Sequence, residues 1–258
     1  MKKTIKGACH IHSSYSFDGE ASLEQLRKRA KKEKLQFLLM TEHSISLNSA
    51  KYEAYRKHCE KLSDDSFIII PGLEVLTKNR TEIICIDVDI YLHAKAEREI
   101  LQEMKKKKKL TIFPHPSRCD PADRETSNQV SFLEVWSARY DGRLSPSKTN
   151  IEFYKQEKKK NHNLKCMNGL DLHYLEEFGR NWIELEVSHV AKKDILAALR
   201  KGDYLLKNRL CTLTPNGIYQ GKIALTLLNS IDRSKRTLGK KLGKFIPKKI
   251  RTLLRKWY

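Results

Sequence analysis

Cys9-His10-Ile11-His12-Ser13-Ser14-Tyr15-Ser16-Phe17-Asp18-Gly19 is the stretch from which the fold is read. His10 and His12 are two residues apart, so on a strand their side chains leave by one face. Asp18 follows six residues after the second. Imidazole and carboxylate together are the donors of Zn, Mn and Fe sites. Taken alone, the stretch is equally a strand end whose histidines are satisfied by hydrogen bonds. Recurrence decides between the two, because five more stretches of the chain end in the same way.

Residues 36–40 read as a buried strand that closes at Thr41-Glu42-His43. Residues 67–70 lead through Pro71-Gly72 to Glu74, and 81–88 end near Asp87 and Asp89. Residues 110–113 run to Pro114-His115-Pro116, 132–136 form another apolar run, and 164–169 lead into Leu170-Asp171-Leu172-His173. Helical patterns lie between them at 22–35, 47–62, 94–109 and 147–161. The first is capped by Ser22 and carries Leu23, Leu26 and Ala30 on one face. A strand at 182–187, a helix at 192–201 and a strand at 204–206 follow. This alternation predicts an α/β fold on a parallel sheet, open or closed. The lysine run at 105–109 reads as a solvated helix end that suits the dipole.

His10, His12, His43, Glu74, His115, Asp171 and His173 each fall at or just past the C-terminal end of an apolar strand. In a (β/α) barrel all those ends meet at one face, where catalytic groups collect. The sequence therefore predicts one shared site. It offers more donors than the roughly four to six that one ion takes, and Glu74 could bridge two ions. Such clusters serve hydrolysis at phosphorus.

At 258 residues the chain can build one large domain with a proper core. No apolar run approaches the roughly 18 residues of a spanning helix, and no signal-peptide core follows the basic Met1-Lys2-Lys3. The six cysteines are scattered, as expected of reduced thiols in the cytoplasm. The formal charge is +20, and residues 231–258 hold eleven Lys or Arg against the single acid Asp232. Two regions are therefore expected: a domain over 1–215 and a basic amphipathic helical extension over 216–258. In the extension Leu238, Leu242, Phe245 and Ile246 recur at helical spacing. Ile250, Leu253, Leu254 and Trp257 do so after Pro247. Three uses stay open: lying on the anionic inner face of a membrane, packing on the domain, and binding a nucleic-acid backbone. Interleaved aromatics, which would favour the last, are absent.

Together these motifs resemble the PHP (polymerase and histidinol phosphatase) superfamily of metal-dependent phosphoesterases. His10-Ile11-His12-Ser13 with Ser16, Asp18 and Gly19 is similar to its first motif, and Thr41-Glu42-His43 to its second. Gly72-Leu73-Glu74-Val75 resembles the bridging-glutamate stretch. Pro114-His115-Pro116 resembles the third motif and Gly169-Leu170-Asp171-Leu172-His173 the fourth, with Glu134-Val135-Trp136 similar to the strand between them. The resemblance spans about residues 1–210.

It implies a distorted (β/α)7 barrel with two or three divalent ions, Mn, Zn or Fe. His10, His12, Glu74 and Asp171 would hold one, Glu74 and His115 a second, and Asp18, His43 and His173 a third. Catalysis would depend on Glu74, His115, Asp171 and His173. The implied nucleophile is a metal-activated hydroxide, acting on a nucleotide, a small phosphomonoester or an oligonucleotide. Three departures stand out. Glu42 replaces the usual Asp and is expected to support the site, not ligate. Leu170 and Leu172 replace Ser and Ala and make the mouth greasier. Glu82 stands where a histidine is usual, so a carboxylate replaces that ligand or the second site is weak. Arg118 and Arg139 are candidates to clamp substrate phosphate, or else form surface ion pairs. Two other functions stay open: a catalytically lapsed barrel that binds membrane or nucleic acid, and hydrolysis of a C–N bond.

Overall fold

The computed structural model describes residues 2–119 and 124–243. In chain order the elements are β1 (Lys3–Cys9), α1 (Leu23–Lys32), β2 (Phe37–Leu39), β3 (Glu42–His43), α2 (Ser49–Lys61), β4 (Ile68–Ile70), β5 (Gly72–Leu76), β6 (Glu82–Ile86) and α3 (Glu97–Lys106). Then come β7 (Leu110–Phe113), β8 (Phe132–Ser137), α4 (Lys148–Lys160), β9 (Lys165–Gly169), β10 (Trp182–Val187), α5 (Lys192–Lys201), β11 (Tyr204–Lys207), β12 (Cys211–Leu213), β13 (Tyr219–Gly221) and α6 (Leu225–Gly243). The fold is mixed α/β. Ser22 caps α1 through a reciprocal box with Gln25, and Leu23, Leu26 and Ala30 are buried, so the predicted face of α1 is the packed one.

The strands do not make one continuous closed barrel, as the resemblance implied. They divide into a seven-stranded sheet in the order β13-β12-β11-β10-β1-β2-β4 and a six-stranded sheet in the order β3-β5-β6-β7-β8-β9. The breaks have local causes. Pro71, between β4 and β5, has no N–H to give a ladder. At the same level Met40 donates to the Ile70 carbonyl at 2.9 Å and Thr41 to the Ile11 carbonyl at 2.9 Å. The second seam is bonded where β9 and β1 run out: Leu170 N–H meets the Cys9 carbonyl at 2.9 Å, and His12 N–H meets the Leu172 carbonyl at 2.9 Å.

Nor is the sheet wholly parallel. β1, β2 and β4 run together, as do β7, β8 and β9, but β6 is antiparallel to both β5 and β7. The reversal follows from a short β5–β6 connection, in which Thr77 N–H bonds the Thr81 carbonyl at 2.8 Å. Hairpin length forbids a parallel crossover. β10 to β13 add an antiparallel flap to the edge of β1. The short strands β12 and β13, separated by Gly217 at φ 74°, were not legible as strands in the sequence.

The core runs through both sheets, with Phe37, Phe67, Phe113, Phe132, Trp136 and Tyr154 among its largest buried side chains. The six cysteines are unpaired. The start of α6 docks on the segment before α4: Leu228 is buried, and Asn229 Nδ2 donates to Ser145 Oγ at 2.8 Å. Phe245, Ile246, Ile250, Leu253, Leu254 and Trp257 lie outside the described residues, as do the side chains of Leu238 and Leu242. Among the described residues, no helix is long and apolar enough to cross a membrane.

Candidate metal centre

The loop after β1 is built on Glu42. This carboxylate is fully buried and accepts from Ser13 N–H at 3.0 Å, Ser13 Oγ at 2.6 Å and Ser16 Oγ at 2.6 Å. Ser16 Oγ in turn accepts the N–H of His43 at 2.9 Å. Burial raises the Glu42 carboxyl pKa against the pull of these bonds. Glu42 thus pins the loop and the His43 backbone together, in the supporting role expected of it. Asp18, carried inward by this loop, lies 2.8 Å from His173 Nε2 and 3.4 Å from His43 Nε2.

Glu74, on β5, sits at the centre. Its Oε1 is 3.3 Å from His10 Nε2 and 3.3 Å from His115 Nε2. Its Oε2 is 3.1 Å from His43 Nδ1 and 3.5 Å from His12 Nε2. Asp171 Oδ1 approaches the same His10 and His12 nitrogens at 3.6 and 3.5 Å. Because β6 runs backwards, its first residue rather than its last reaches this rim. Glu82 Oε2 therefore lies 3.6 Å from His115 Nε2, while Asp87 at the far end pairs with Lys109 and Lys192.

Donor atoms within 4.8 Å of one another fall into overlapping groups: His12, Asp18, His43 and His173; His10, His115 and Asp171; His10, His12 and Glu74; and His43, Glu74 and Glu82. All nine sequence-predicted ligands are therefore brought together. His10, His115 and Asp171 have φ of 61°, 27° and 49°. Non-glycine residues rarely take this left-handed region, and such backbone strain concentrates at functional sites.

The electrostatics fit a cation. His10 Nε2 and His12 Nε2 are buried, face Glu74 and Asp171, and have no hydrogen-bond partner of good geometry. Such orphans are costly. Burial works against the proton on His10, yet the charges of Glu134, Glu74 and Asp171 hold its pKa well above the ordinary range. His115 is likewise pushed up to about 10, with burial opposing and bonds to Cys119 and Glu74 raising it. Burial dominates at His12 and draws it down to about 4. Burial disfavours ionised Glu74, but His10 and His115 keep it well below the usual carboxylate range. Imidazole nitrogen with carboxylate oxygen is the donor set of Zn, Mn or Fe, and a bound divalent ion would take the place of protons on these groups.

Two supporting carboxylates were given no site role from the sequence, although Glu134 lies in a strand that carried the resemblance. Glu134, buried on β8, accepts from His10 Nδ1–H at 2.9 Å and from the N–H of His115 at 2.8 Å. A β-carbon on Gly169 would collide with Glu134 Oε1. The available signal was a lone acid inside the apolar run Phe132-Leu133-Glu134-Val135-Trp136. Glu177 accepts the N–H of His173 at 2.8 Å and pairs with Arg180 at 3.1 Å and Arg139 at 3.4 Å. His173 Nδ1 lies 3.0 Å from the Asp171 carbonyl oxygen, which accepts its N–H when Nε2 is free, and Arg139 Nη1 lies 3.1 Å from the same nitrogen. Arg118 is exposed, stacked 4.4 Å above the Tyr140 ring, whose edge meets His115 at 5.2 Å. His58 and His189 pair elsewhere, with Glu24 and Asp194.

The PHP domain profile matches residues 8–228. No curated protein matches the chain. A two-domain protein of Bacteroides vulgatus, containing a predicted PHP-like metal-dependent phosphoesterase, superposes with a TM-score of 0.59 at 19% identity. That match covers 80% of this chain and 65% of the other. The lesion-specific endonuclease Q of Pyrococcus furiosus gives 0.57 at 20% identity, over 83% of this chain and 60% of its own. An endonuclease Q complex with a 27-mer duplex carrying an abasic lesion at the active site gives 0.55 at 17% identity, with the same coverages of 83% and 60%. The chain thus spans about two thirds or less of the length of these structures.

Proposed function

This chain belongs to the PHP domain family, and from that premise we propose that it hydrolyses phosphoesters at a di- or trinuclear metal centre. Glu74 carries the proposal: its two oxygens lie 3.1–3.5 Å from four imidazoles, one on β3 and the others just past the ends of β1 and β7. In this reading His10, His12, Glu74 and Asp171 hold one ion. Glu74, His115 and Glu82 hold a second, and Asp18, His43 and His173 a third. Bound divalent ions supply an acidified water and stabilise charge on phosphate and leaving-group oxygens.

The chain's own residues do the rest. With Nδ1–H given to Glu134, His10 is left with its Nε2 lone pair facing inward, as a ligand needs. Glu134 also fixes the backbone of His115, so one carboxylate positions ligands of two ions. Glu177 and Arg139 hold His173. Arg118, exposed and bonded to the Tyr140 hydroxyl at 2.8 Å, meets a substrate phosphate at the mouth with its remaining donors. We read the two sheets, bonded at their seams, as a distorted seven-stranded barrel. Residues 216–258 are treated as an extension that draws anionic partners toward it. The neighbouring endonuclease Q structures support a nucleic-acid or other phosphorylated substrate.

The test is phosphate release from a panel of mono- and diesters with Mn added, comparing wild type and Asp171→Asn, alongside metal content. Turnover in wild type that collapses in the variant supports the proposal. Less than one metal per chain and no turnover would instead favour a lapsed barrel that only binds.

A further inference from the structure

One side chain at the mouth has no role in the fold. Ser16 and Asp18 are both drawn inward, onto Glu42 and onto His43 with His173. Phe17 between them is left pointing out and is 69% exposed. Neither neighbour's contacts need an aromatic at 17, and a polar residue would leave them intact. The ring is nonetheless ordered against the site. It stacks on His43 with centroids 5.0 Å apart and planes 24° from parallel. The Phe17 N–H is bonded to Ser46 Oγ at 3.0 Å. That ties it to the turn at Ser44–Ser46, which presents Ile45, itself 61% exposed. The rim beside His43 is therefore apolar.

Other parts of the rim differ in kind. Arg118 lies on Tyr140 beside His115, and Arg139 lies beside His173. A ligand held over the cluster thus has both cations and a flat apolar ring within the rim to meet. Its phosphate belongs at the cations and candidate ligands. An ester group seated beside His43 reaches Phe17, whose ring centroid lies 5.0 Å from that imidazole. A planar ring there gains stacking area that an open-chain alcohol cannot.

We propose that Phe17 is a specificity-determining platform, which selects phosphoesters whose alcohol portion carries a planar ring, as a nucleotide does. This rests on the hydrolase reading for its site but is tested by a separate measurement. The probes are adenosine 5′-monophosphate and ribose 5-phosphate, which share the sugar 5-phosphate and differ at C1′, where one carries the base and the other a hydroxyl. Calorimetry in the presence of Mn compares their binding to wild type, Phe17→Ala and Phe17→Trp, and kinetics compares kcat and KM.

Wild type is expected to bind the nucleotide at least about five-fold more tightly than the sugar phosphate. Phe17→Ala abolishes that preference and raises KM for the nucleotide with kcat little changed. Ribose 5-phosphate is unaffected, and Phe17→Trp restores the preference. Equal binding of the two probes by wild type, or an equal loss for both in Phe17→Ala, overturns the platform. If the preference is present and ring-dependent while neither probe is turned over, the platform stands and the hydrolytic reading fails for these esters.

Discussion

The two ends of β7 and β9 carry opposite chemistry. At their C-terminal ends, His115 and Asp171 turn inward on left-handed backbone and meet seven other ligand-type side chains. At their starts, Leu110 and Lys165 line a cleft of about 1080 Å³, with Lys105, Lys108, Lys160 and Arg200 around it. No carboxylate is among the described residues that line it. The cleft has the room but no converging donors. The ligand rim is crowded, strained and partly unsatisfied. Room alone does not mark a centre for chemistry; groups held together at a cost do.

The strongest way to break this contrast is to exchange charge at each end. Asp171→Asn is expected to lower turnover by more than the roughly 10–100-fold that supporting residues cost. Removing Lys105 and Lys108 together should leave turnover of a small phosphoester unchanged. Steady-state assays with Mn decide it, and a larger loss from the lysine pair would dissolve the contrast. Next in size is Glu134→Gln, which keeps the shape but weakens the hold on His10 and His115. Metal affinity should fall about 10–100-fold while the circular dichroism spectrum is retained.

A smaller effect concerns metal removal. Excess Mn at about 100 times its dissociation constant stabilises by about 2.7 kcal/mol, so chelation should lower Tm. Ligand imidazoles must lose their protons to bind, and His10 and His115 hold theirs above the ordinary range. Lower pH therefore favours the protonated, metal-free form, and the Tm difference should shrink from pH 8 to pH 5.5. A difference that grows in acid would contradict the ligand roles. Smallest is Glu82→Gln, expected to reduce bound metal by at most one ion per chain in elemental analysis, with the other ions retained.

Much of this rim was legible in the sequence because strand-end position is a local property. Apolar runs closing on His43, His115 and Asp171 are visible without knowing which strand lies beside which. What was not legible depended on direction and neighbours. Strand-end position alone points to Asp87, and Glu82 was named only through the resemblance; the hairpin between Thr77 and Thr81 reverses β6, so Glu82 enters the cluster and Asp87 leaves it. The parallel-sheet expectation fails at the same point. Glu134 was given no site role because its partners His10 and His115 lie 124 and 19 residues away. Pairing at that distance leaves no periodicity to read. The split of the expected barrel into two sheets likewise turns on Pro71 and on bonds between segments far apart in the chain.

The most direct measurement is anomalous X-ray diffraction from crystals soaked in Mn. The account predicts peaks beside Glu74, one toward His10, His12 and Asp171 and another toward His115, with any third peak between Asp18, His43 and His173. Fully occupied Mn elsewhere on the surface, with none within coordination distance of Glu74, would contradict it.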